Sequence, residues 1–363
     1  MIISRLILSA LAIGAFTLYS PLKANAAGQF PDPADEAALY ELAKIEGEVV
    51  WYEAAPLEAM QALVGDFEKK YPGIKVQLLR ISGPKQYQRY LQETMAGQHI
   101  ADVMLSSDRP SLKELISDGH ISEWKVPAYD RVPEVFKLGS FAYAPYTTDM
   151  AIMYNKDGVT PEEVKLLESS WKSVIDPRFK GRMAVVKRKC GVCYAGVNMF
   201  LSPEMEDEFG VEFLKAVMQQ EPTVYVDNPV AMDRLIAGEH DLVFWLWEGI
   251  GFSKWKQGAP VRWARPNPTP DWGNSWLAIS AHAPHPNAAR LFANWLISEE
   301  GAVGIQTHYG SATTLTGMKD TRPVTEEAWY KPIDQRWNIQ WERWANNYEE
   351  EMAIWQKIQS GDF

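Results

Sequence analysis

The two cysteines of this chain lie in one short motif, Cys190-Gly191-Val192-Cys193. The apolar residues before and after the motif predict a strand, the Cys-x-x-Cys turn and then a helix. A helix start lowers the pKa of a thiol there, which suits thiol–disulfide exchange or soft-metal binding. The same pair can instead form a local disulfide that stiffens the loop. With two cysteines there is no disulfide framework, so packing must stabilise the fold.

Indole rings are the second chemical feature, because six tryptophans fall between positions 245 and 276. A flat apolar ring suits a sugar, an aromatic acid or a quaternary amine. Tryptophan is more often a core residue, so most of the six are predicted to pack inside the fold. Trp247 and Trp272 are the predicted ligand walls. The six are Trp245, Trp247, Trp255, Trp263, Trp272 and Trp276.

Hydrolytic and phosphate-binding motifs are missing from the sequence. It contains no Gly-x-Ser-x-Gly, no His-Glu-x-x-His and no Walker-type loop, and its six histidines lack ligand spacing. Two carboxylates from distant positions could still meet, as in a sugar hydrolase. We therefore predict no enzyme activity, no catalytic residues, no metal ligands and no cofactor.

These residues must be positioned by alternating strands and helices. Short β runs and amphipathic stretches alternate from residue 48 to 105, which is typical of an α/β sheet covered by helices. An open sheet of this kind binds its ligands beyond the carboxyl ends of its strands. The candidate ligand residues at those ends are Glu53, Ser82, Ser106, Ser107 and Asp108. Serine or aspartate at a helix start can alternatively only cap the helix.

The first 26 residues predict export. Arg5 precedes an apolar run, and Ala24-Asn25-Ala26 supplies the small residues that signal peptidase reads. The run is too short to span a bilayer, and no later segment is longer. We therefore expect a soluble periplasmic protein, with no cysteine after the cleavage site for a lipid anchor.

Charge and length limit the function further. The net charge is −11, and the first 26 residues carry two basic and no acidic side chains, so the mature chain is more acidic still. An acidic chain is a poor partner for nucleic acid. The remaining length, roughly 340 residues, exceeds what one core usually serves, so two lobes are expected.

The order of several segments resembles the extracellular solute-binding proteins of ABC transporters. The resemblance rests on the runs from Val49 to Val76 and from Ala101 to Val103, on Ser170-Trp171 with residues 176–182, and on residues 283–298. Within that family the chain looks most like the branch of periplasmic ferric-iron binders. The likeness covers residues 46 to 315.

The resemblance implies a two-lobe periplasmic-binding-protein (type II) α/β fold, each lobe a mostly parallel sheet flanked by helices. Lobe 1 would combine residues 27–145 with 278–363, and lobe 2 would span 150–272. Two crossing strands, 146–149 and 273–277, would join them. The amphipathic stretch from Trp337 to Tyr348 is predicted to pack on the first lobe.

The iron binders hold ferric ion with two adjacent tyrosines, and this sequence has no Tyr-Tyr pair. At the corresponding place it has Trp245-Leu246-Trp247-Glu248-Gly249, where only Glu248 offers an oxygen ligand. Lysine and arginine near the strand ends favour an organic anion, whereas acids with indoles would suit an ammonium group. Cys190 and Gly191 are further candidate ligand contacts, because their loop would border the cleft.

We therefore predict a monomeric periplasmic solute-binding subunit of an ABC importer. It would hold a small organic solute, favoured to be a carboxylate, an aromatic acid or a sugar phosphate, and deliver it to the membrane permease subunits. The alternatives are a ferric-iron or other metal carrier, a periplasmic thiol or soft-metal protein using the Cys-x-x-Cys loop, and a ligand sensor for a membrane receptor.

Overall fold

A computed structural model describes residues 31–81, 83–187, 194–272 and 275–362. The predicted signal peptide, Ser82, Cys190 and Gly191 lie outside the described residues, as does the side chain of Trp272. From Asp32 onward the chain forms one compact unit.

The elements alternate as the sequence predicts. The strands are β1 (Glu48–Glu53), β2 (Lys75–Arg80), β3 (Val103–Ser106), β4 (Lys137–Leu138), β5 (Ala142–Tyr143), β6 (Thr148–Asn155), β7 (Met183–Val186), β8 (Thr223–Tyr225), β9 (Leu242–Trp247), β10 (Val261–Ala264), β11 (Thr269–Trp272), β12 (Trp276–Ile279) and β13 (Arg336–Asn338). The helices are α1 (Glu36–Glu46), α2 (Leu57–Lys70), α3 (Gly83–Met95), α4 (Arg109–Ser117), α5 (Pro161–Ser169), α6 (Tyr194–Phe200), α7 (Gly210–Gln219), α8 (Asn228–Ile236), α9 (Glu248–Lys256), α10 (Pro286–Leu296), α11 (Glu299–His308) and α12 (Trp341–Ser360).

The first lobe is built on a six-stranded sheet in the order β2-β1-β3-β12-β5-β4. β1 runs parallel to β2 and β3, whereas the returning strand β12 is antiparallel to both of its neighbours. Aromatic rings join the sheet to its helices: Phe292 of α10 lies 5.1 Å from Trp51 and 5.0 Å from Phe67 between ring centroids. Edge contacts of this kind add to the burial energy of the core.

The second lobe is built on a seven-stranded sheet in the order β13-β11-β6-β9-β7-β8, with β10 also paired to β6. β6 is antiparallel to its partners, and β7 is parallel to β8 and β9. The two-lobe α/β fold predicted from the sequence is confirmed. Both sheets are mixed, because the strands that carry the chain between lobes run against the others.

Polar side chains begin several helices. Asp35, Asp108, Asp227 and Ser298 each accept a hydrogen bond from a backbone N–H in the first turn of α1, α4, α8 and α11. Thr160 and Glu163 form a reciprocal capping box at α5. Asp108 was a predicted ligand contact, and the structure gives its carboxylate the capping role that the sequence left as the alternative.

The end of the chain departs from the predicted domain boundary. β13 pairs with β11 in the second sheet, and α12 packs on α6 and α7, with Trp355 and Met352 in the second core. The prediction that all of residues 278–363 belong to lobe 1 is therefore wrong for β13 and α12. The Trp337–Tyr348 stretch packs on the second core, and Trp341 also contacts the first lobe, 6.0 Å from Trp276 between ring centroids. An amphipathic face shows that a helix needs a partner, but it does not say which lobe supplies one.

The same segment requires a third passage between the lobes. The chain leaves the first sheet after β5 and returns to it at β12. It then crosses again between α11 and Val324, which lies in the core of the second lobe. Among the described helices, none is long and apolar enough to cross a membrane.

Candidate functional site

A cavity of about 330 Å³ lies between the lobes. Helix α2 of the first lobe and helix α9 of the second form its two sides, and the end of α11 closes it. Its volume is at the lower end of the range for small-molecule sites. The lining residues are Pro56, Glu58, Ala59, Ala62, Trp247, Gly249, Phe252, Ser253, Lys256, Gln257, His308 and Tyr309.

The starts of both helices line this cavity. α2 begins after Pro56 and α9 begins after Trp247, and neither residue provides a side-chain hydrogen bond to the first turn. The first-turn N–H groups of a helix carry partial positive charge and can hold an anion. One such start from each lobe therefore contributes to the same cavity.

Trp247 forms part of the wall, next to the start of α9. A Cβ atom on Gly249 would lie 2.4 Å from Cζ2 of the Trp247 ring, so the indole packs directly on the glycine backbone. Only glycine allows this close approach. The predicted wall residue Trp247 thus lines the interlobe cavity, although its contact with a ligand stays a prediction.

Glu248, another predicted ligand contact, is buried and engaged by two guanidinium groups. Nη1 of Arg265 lies 2.7 Å from Oε2, and Nη1 of Arg322 lies 2.7 Å from Oε1. Arg322 also pairs with Asp320, at 2.7 Å between Nη2 and Oδ2. Both carboxylate oxygens of Glu248 are therefore committed to structural ion pairs.

A second ion pair, of which only the carboxylate is buried, lies where β6 enters the second lobe. Arg336 of β13 donates to both carboxylate oxygens of Asp149, at 3.1 and 3.2 Å. Asp271 faces Asp149 across β11 and β6. Burial, together with the charge of Asp149, raises the pKa of Asp271 well above its ordinary value.

Glu53 ends β1, where the sequence predicts a ligand contact, and it is 1% exposed. Its Oε1 accepts hydrogen bonds from the backbone N–H groups of Ala54 and Ala55, at 2.7 and 3.0 Å. Burial outweighs these two bonds and raises the pKa of Glu53 to about 8. The carboxyl group is therefore largely protonated at neutral pH.

The loop of Ser106, Ser107 and Asp108 lies elsewhere in the interlobe region. Ser107 and Asp108 line a second cavity of about 510 Å³ with Trp344 and Tyr348 of α12. Beside it, the guanidinium of Arg109 lies 5.0 Å from the ring centroids of both Trp276 and Trp341. Of the predicted residues, Trp247 thus lines the first cavity and Ser107 and Asp108 line the second, whereas Glu53 and Glu248 are buried and are not among the lining residues of either.

Sequence reasoning missed several residues of the first cavity, chiefly Phe252, Ser253, Lys256 and Tyr309. Three of them follow Gly249 at the spacing of one helix face, and that stripe was a usable signal. Tyr309 lies far along the chain, and no local pattern points to it. Among the described residues, no group of three or more His, Cys, Asp or Glu side chains is arranged to hold a metal ion.

A sequence profile of the family described as bacterial extracellular solute-binding protein matches residues 51–303. An uncharacterized protein of Haemophilus influenzae is 22% identical over 271 residues, which cover 71% of this chain and 75% of the relative.

Several solved structures share the fold. Iron-bound HitA from Pseudomonas aeruginosa is 19% identical with a TM-score of 0.67, over 86% of this chain and 99% of that one. AfuA from Actinobacillus pleuropneumoniae, with fructose-6-phosphate bound, is 17% identical with a TM-score of 0.65, over 86% and 99%. A substrate-binding protein of an ABC transporter from Agrobacterium tumefaciens is 18% identical with a TM-score of 0.67, over 86% and 94%.

Proposed function

Because the chain belongs to the bacterial extracellular solute-binding protein family, whose members serve ABC transporters, we propose that its solute is a small organic anion held in the 330 Å³ cavity between the lobes. The protein would capture this anion in the periplasm and deliver it to the permease subunits in the inner membrane. Carboxylates and phosphate monoesters of a size to fit the cavity are the candidate solutes.

The observation that carries the proposal is the pair of helix starts at one cavity. α2 comes from the first lobe and α9 from the second, and both present their first turns to the same space. An anion between them interacts favourably with both dipoles only when the lobes are together. Binding would therefore select the closed arrangement, which is the form that a transporter can recognise.

The charges around the cavity are compatible with an anion. Lys256 lines it and donates to the carbonyl oxygen of Thr307 at 3.2 Å, while His308 lines it with Nε2 2.8 Å from Oδ2 of Asp66. Among the described lining residues, the acidic one is the exposed Glu58. Glu248 adds little negative potential, because Arg265 and Arg322 neutralise it. With His308 paired to Asp66, the support for an anion over the ammonium group that the sequence left as an alternative comes from the two helix starts and from Lys256.

The structural neighbours hold different ligands, including iron in HitA and fructose-6-phosphate in AfuA. At under 20% identity these neighbours carry only the fold to this chain. Iron is disfavoured here by a separate observation, since both oxygens of Glu248 are held by guanidinium groups. The proposal of an organic anion therefore depends on the helix starts and the lining residues of this protein's own cavity, and not on the ligands of its structural neighbours.

The test is a thermal-shift screen followed by calorimetry on the mature protein, using carboxylates, sugar phosphates, aromatic acids, polyamines and metal ions. We expect one anionic class to raise the melting temperature. Trp247→Ala and Lys256→Gln should each weaken binding of that class by roughly tenfold, the scale of one aromatic or charged contact.

Matched controls lie on the same helix. Trp255→Ala removes a half-buried indole, and Lys254→Gln removes an ammonium group that pairs with Asp233, and neither residue lines the cavity. Both controls should bind as the wild type does. Stabilisation by polyamines or metal ions alone would refute the anion proposal.

A further inference from the structure

Four polar side chains form a buried cluster next to the cavity: Glu53, Tyr146, Ser275 and Tyr309. Glu53 ends β1, Tyr146 and Ser275 lie in the two segments that connect β5 to β6 and β11 to β12, and Tyr309 follows α11. The rings of Tyr146 and Tyr309 are 5.5 Å apart between centroids. Tyr309 also lines the cavity, so it joins the cluster to the proposed solute site.

Two polar atoms of this cluster are buried without a partner. Oε2 of Glu53 and the hydroxyl of Tyr309 make no hydrogen bond, and the two residues are 1% and 5% exposed. A buried polar group without a partner destabilises a protein by roughly 1–3 kcal/mol. Tyr309 lines the cavity and interacts electrostatically with Glu53, so the two unpartnered atoms together point to a polar group that enters from the cavity.

The second lobe contacts this cluster next to Tyr309. A Cβ atom on Gly310, the residue after Tyr309, would lie 2.0 Å from Cδ1 of Phe252 in α9. The α9 helix therefore packs directly on the segment that carries Tyr309. Separation of the lobes would remove Phe252 and expose the cluster to an incoming solute.

The cluster offers hydrogen-bond donors without a net charge. Burial raises the pKa of both phenols well above 10, so they stay protonated. Burial also raises the pKa of Glu53 to about 8, so its Oε2 carries a proton at neutral pH. Uncharged donors of this kind match a hydroxyl or carbonyl oxygen better than a second anionic group or a cation.

We propose that Glu53 and Tyr309 form a polar subsite that binds a hydroxyl or carbonyl oxygen of the solute, while the starts of α2 and α9 hold its anionic group. The solute class is then an organic anion that also carries an uncharged oxygen, such as a hydroxy acid or a sugar phosphate. This inference rests on the proposed function and narrows it.

The subsite predicts a pH dependence of binding. The ionisable groups around Glu53 are Tyr146 and Tyr309, Arg80 on the neighbouring strand β2, and His308 at the end of α11. Arg80 is committed to the carbonyl oxygen of Ala55, at 2.9 Å. When Glu53 loses its proton it can no longer donate, so affinity for the oxygen-bearing solute should fall above pH 8.

The experiment compares probes that differ in the uncharged oxygen. Malate and succinate form one pair, and fructose 6-phosphate and inorganic phosphate form the other, each titrated by calorimetry into the mature protein at pH 7. In at least one pair, we expect the wild type to bind the member with the uncharged oxygen, malate or fructose 6-phosphate, at least tenfold more tightly than the other member. Glu53→Leu and Tyr309→Phe should reduce that preference to less than threefold while leaving the other member's affinity unchanged.

Glu53→Gln and Tyr71→Phe serve as the matched variants. The amide of Glu53→Gln keeps a donor at every pH, so the preference should persist and its decline above pH 8 should disappear. Tyr71 is a buried tyrosine of the first lobe whose hydroxyl donates to Glu36, away from the cavity, so Tyr71→Phe should bind as the wild type does. If Glu53→Leu does not fold, the binding preference of Tyr309→Phe alone decides whether the subsite exists.

The outcomes separate the two proposals. Equal affinity for both members of each pair, or a preference that survives Glu53→Leu and Tyr309→Phe, overturns the subsite and leaves the proposed function in place. If none of the four anions binds and the wider screen finds none that does, the proposed function fails and the subsite with it.

Discussion

Replacing Glu53 by glutamine should change how the stability of the protein depends on pH. Burial raises the pKa of this carboxyl group from 4.5 to about 8 in the folded protein. Between these two values the folded state keeps a proton that the unfolded state has lost, so the folded state binds more protons. The unfolding free energy of the wild type must therefore fall as pH rises from 4.5 to 8.

The size of the effect follows from the shift. One pKa unit corresponds to 1.36 kcal/mol, so the stability lost over the whole window is up to about 5 kcal/mol, of which about 3 is lost by pH 7. The amide of Glu53→Gln has no proton to lose. The variant should therefore match the wild type near pH 4.5, become more stable than it by roughly 1.4 kcal/mol per pH unit up to about pH 8, and keep a constant advantage above that.

The assay is reversible denaturant unfolding of both proteins at pH values from 5 to 9, with fluorescence from the tryptophans as the signal. Glu58→Gln is the control, because Glu58 lies a few residues away and is exposed. Its curve should follow that of the wild type. If the wild type and Glu53→Gln have parallel stability profiles across this range, the carboxyl group is not held neutral by burial and the reasoning is wrong.

Three further substitutions test other contacts. Glu248→Ala should cost roughly 3–5 kcal/mol in denaturant unfolding, because it leaves two buried guanidinium groups without their carboxylate; a loss under 1 kcal/mol would contradict the ion-pair assignment. Gly310→Ala places a methyl group 2.0 Å from Phe252 at a residue with φ of +68°, so its melting temperature should fall, and Phe252→Ala in the same chain should recover part of the loss. Trp355→Ala should destabilise the second lobe by about 3–5 kcal/mol, because this fully buried indole of α12 fills its core, whereas a helix on the first lobe would leave the second lobe's melting unchanged.

The spacing of apolar residues along the sequence correctly predicted the order of strands and helices in the first lobe. The alternation of strands and helices predicted from residue 48 to 105 is present as β1 (Glu48–Glu53), α2 (Leu57–Lys70), β2 (Lys75–Arg80), α3 (Gly83–Met95) and β3 (Val103–Ser106). Residues 283–298, which carry part of the family resemblance, contain the helix α10 (Pro286–Leu296). These elements are set by apolar spacing and by proline and glycine at their ends, which act over a few residues.

The site was harder to predict because its charged side chains form ion pairs with residues that are far away along the sequence. Glu248 follows a strand and precedes a helix, which is the usual place for a ligand contact, yet Arg322 neutralises it from 74 positions away. Asp108 lies in an equivalent place and caps its own helix. Nothing in the neighbouring sequence distinguishes these two roles from ligand binding.

The sequence by itself determined the order and type of the elements, the two-lobe α/β fold and the family, because helical and strand periodicity are local and the family's segments recur in order. Only the tertiary structure decided which lobe receives α12, which carboxylates are paired and which are buried neutral. It also brought Tyr309 beside Glu53 and the start of α9 opposite the start of α2. Burial and electrostatics depend on residues that are distant along the chain, so they become defined only when the lobes have formed.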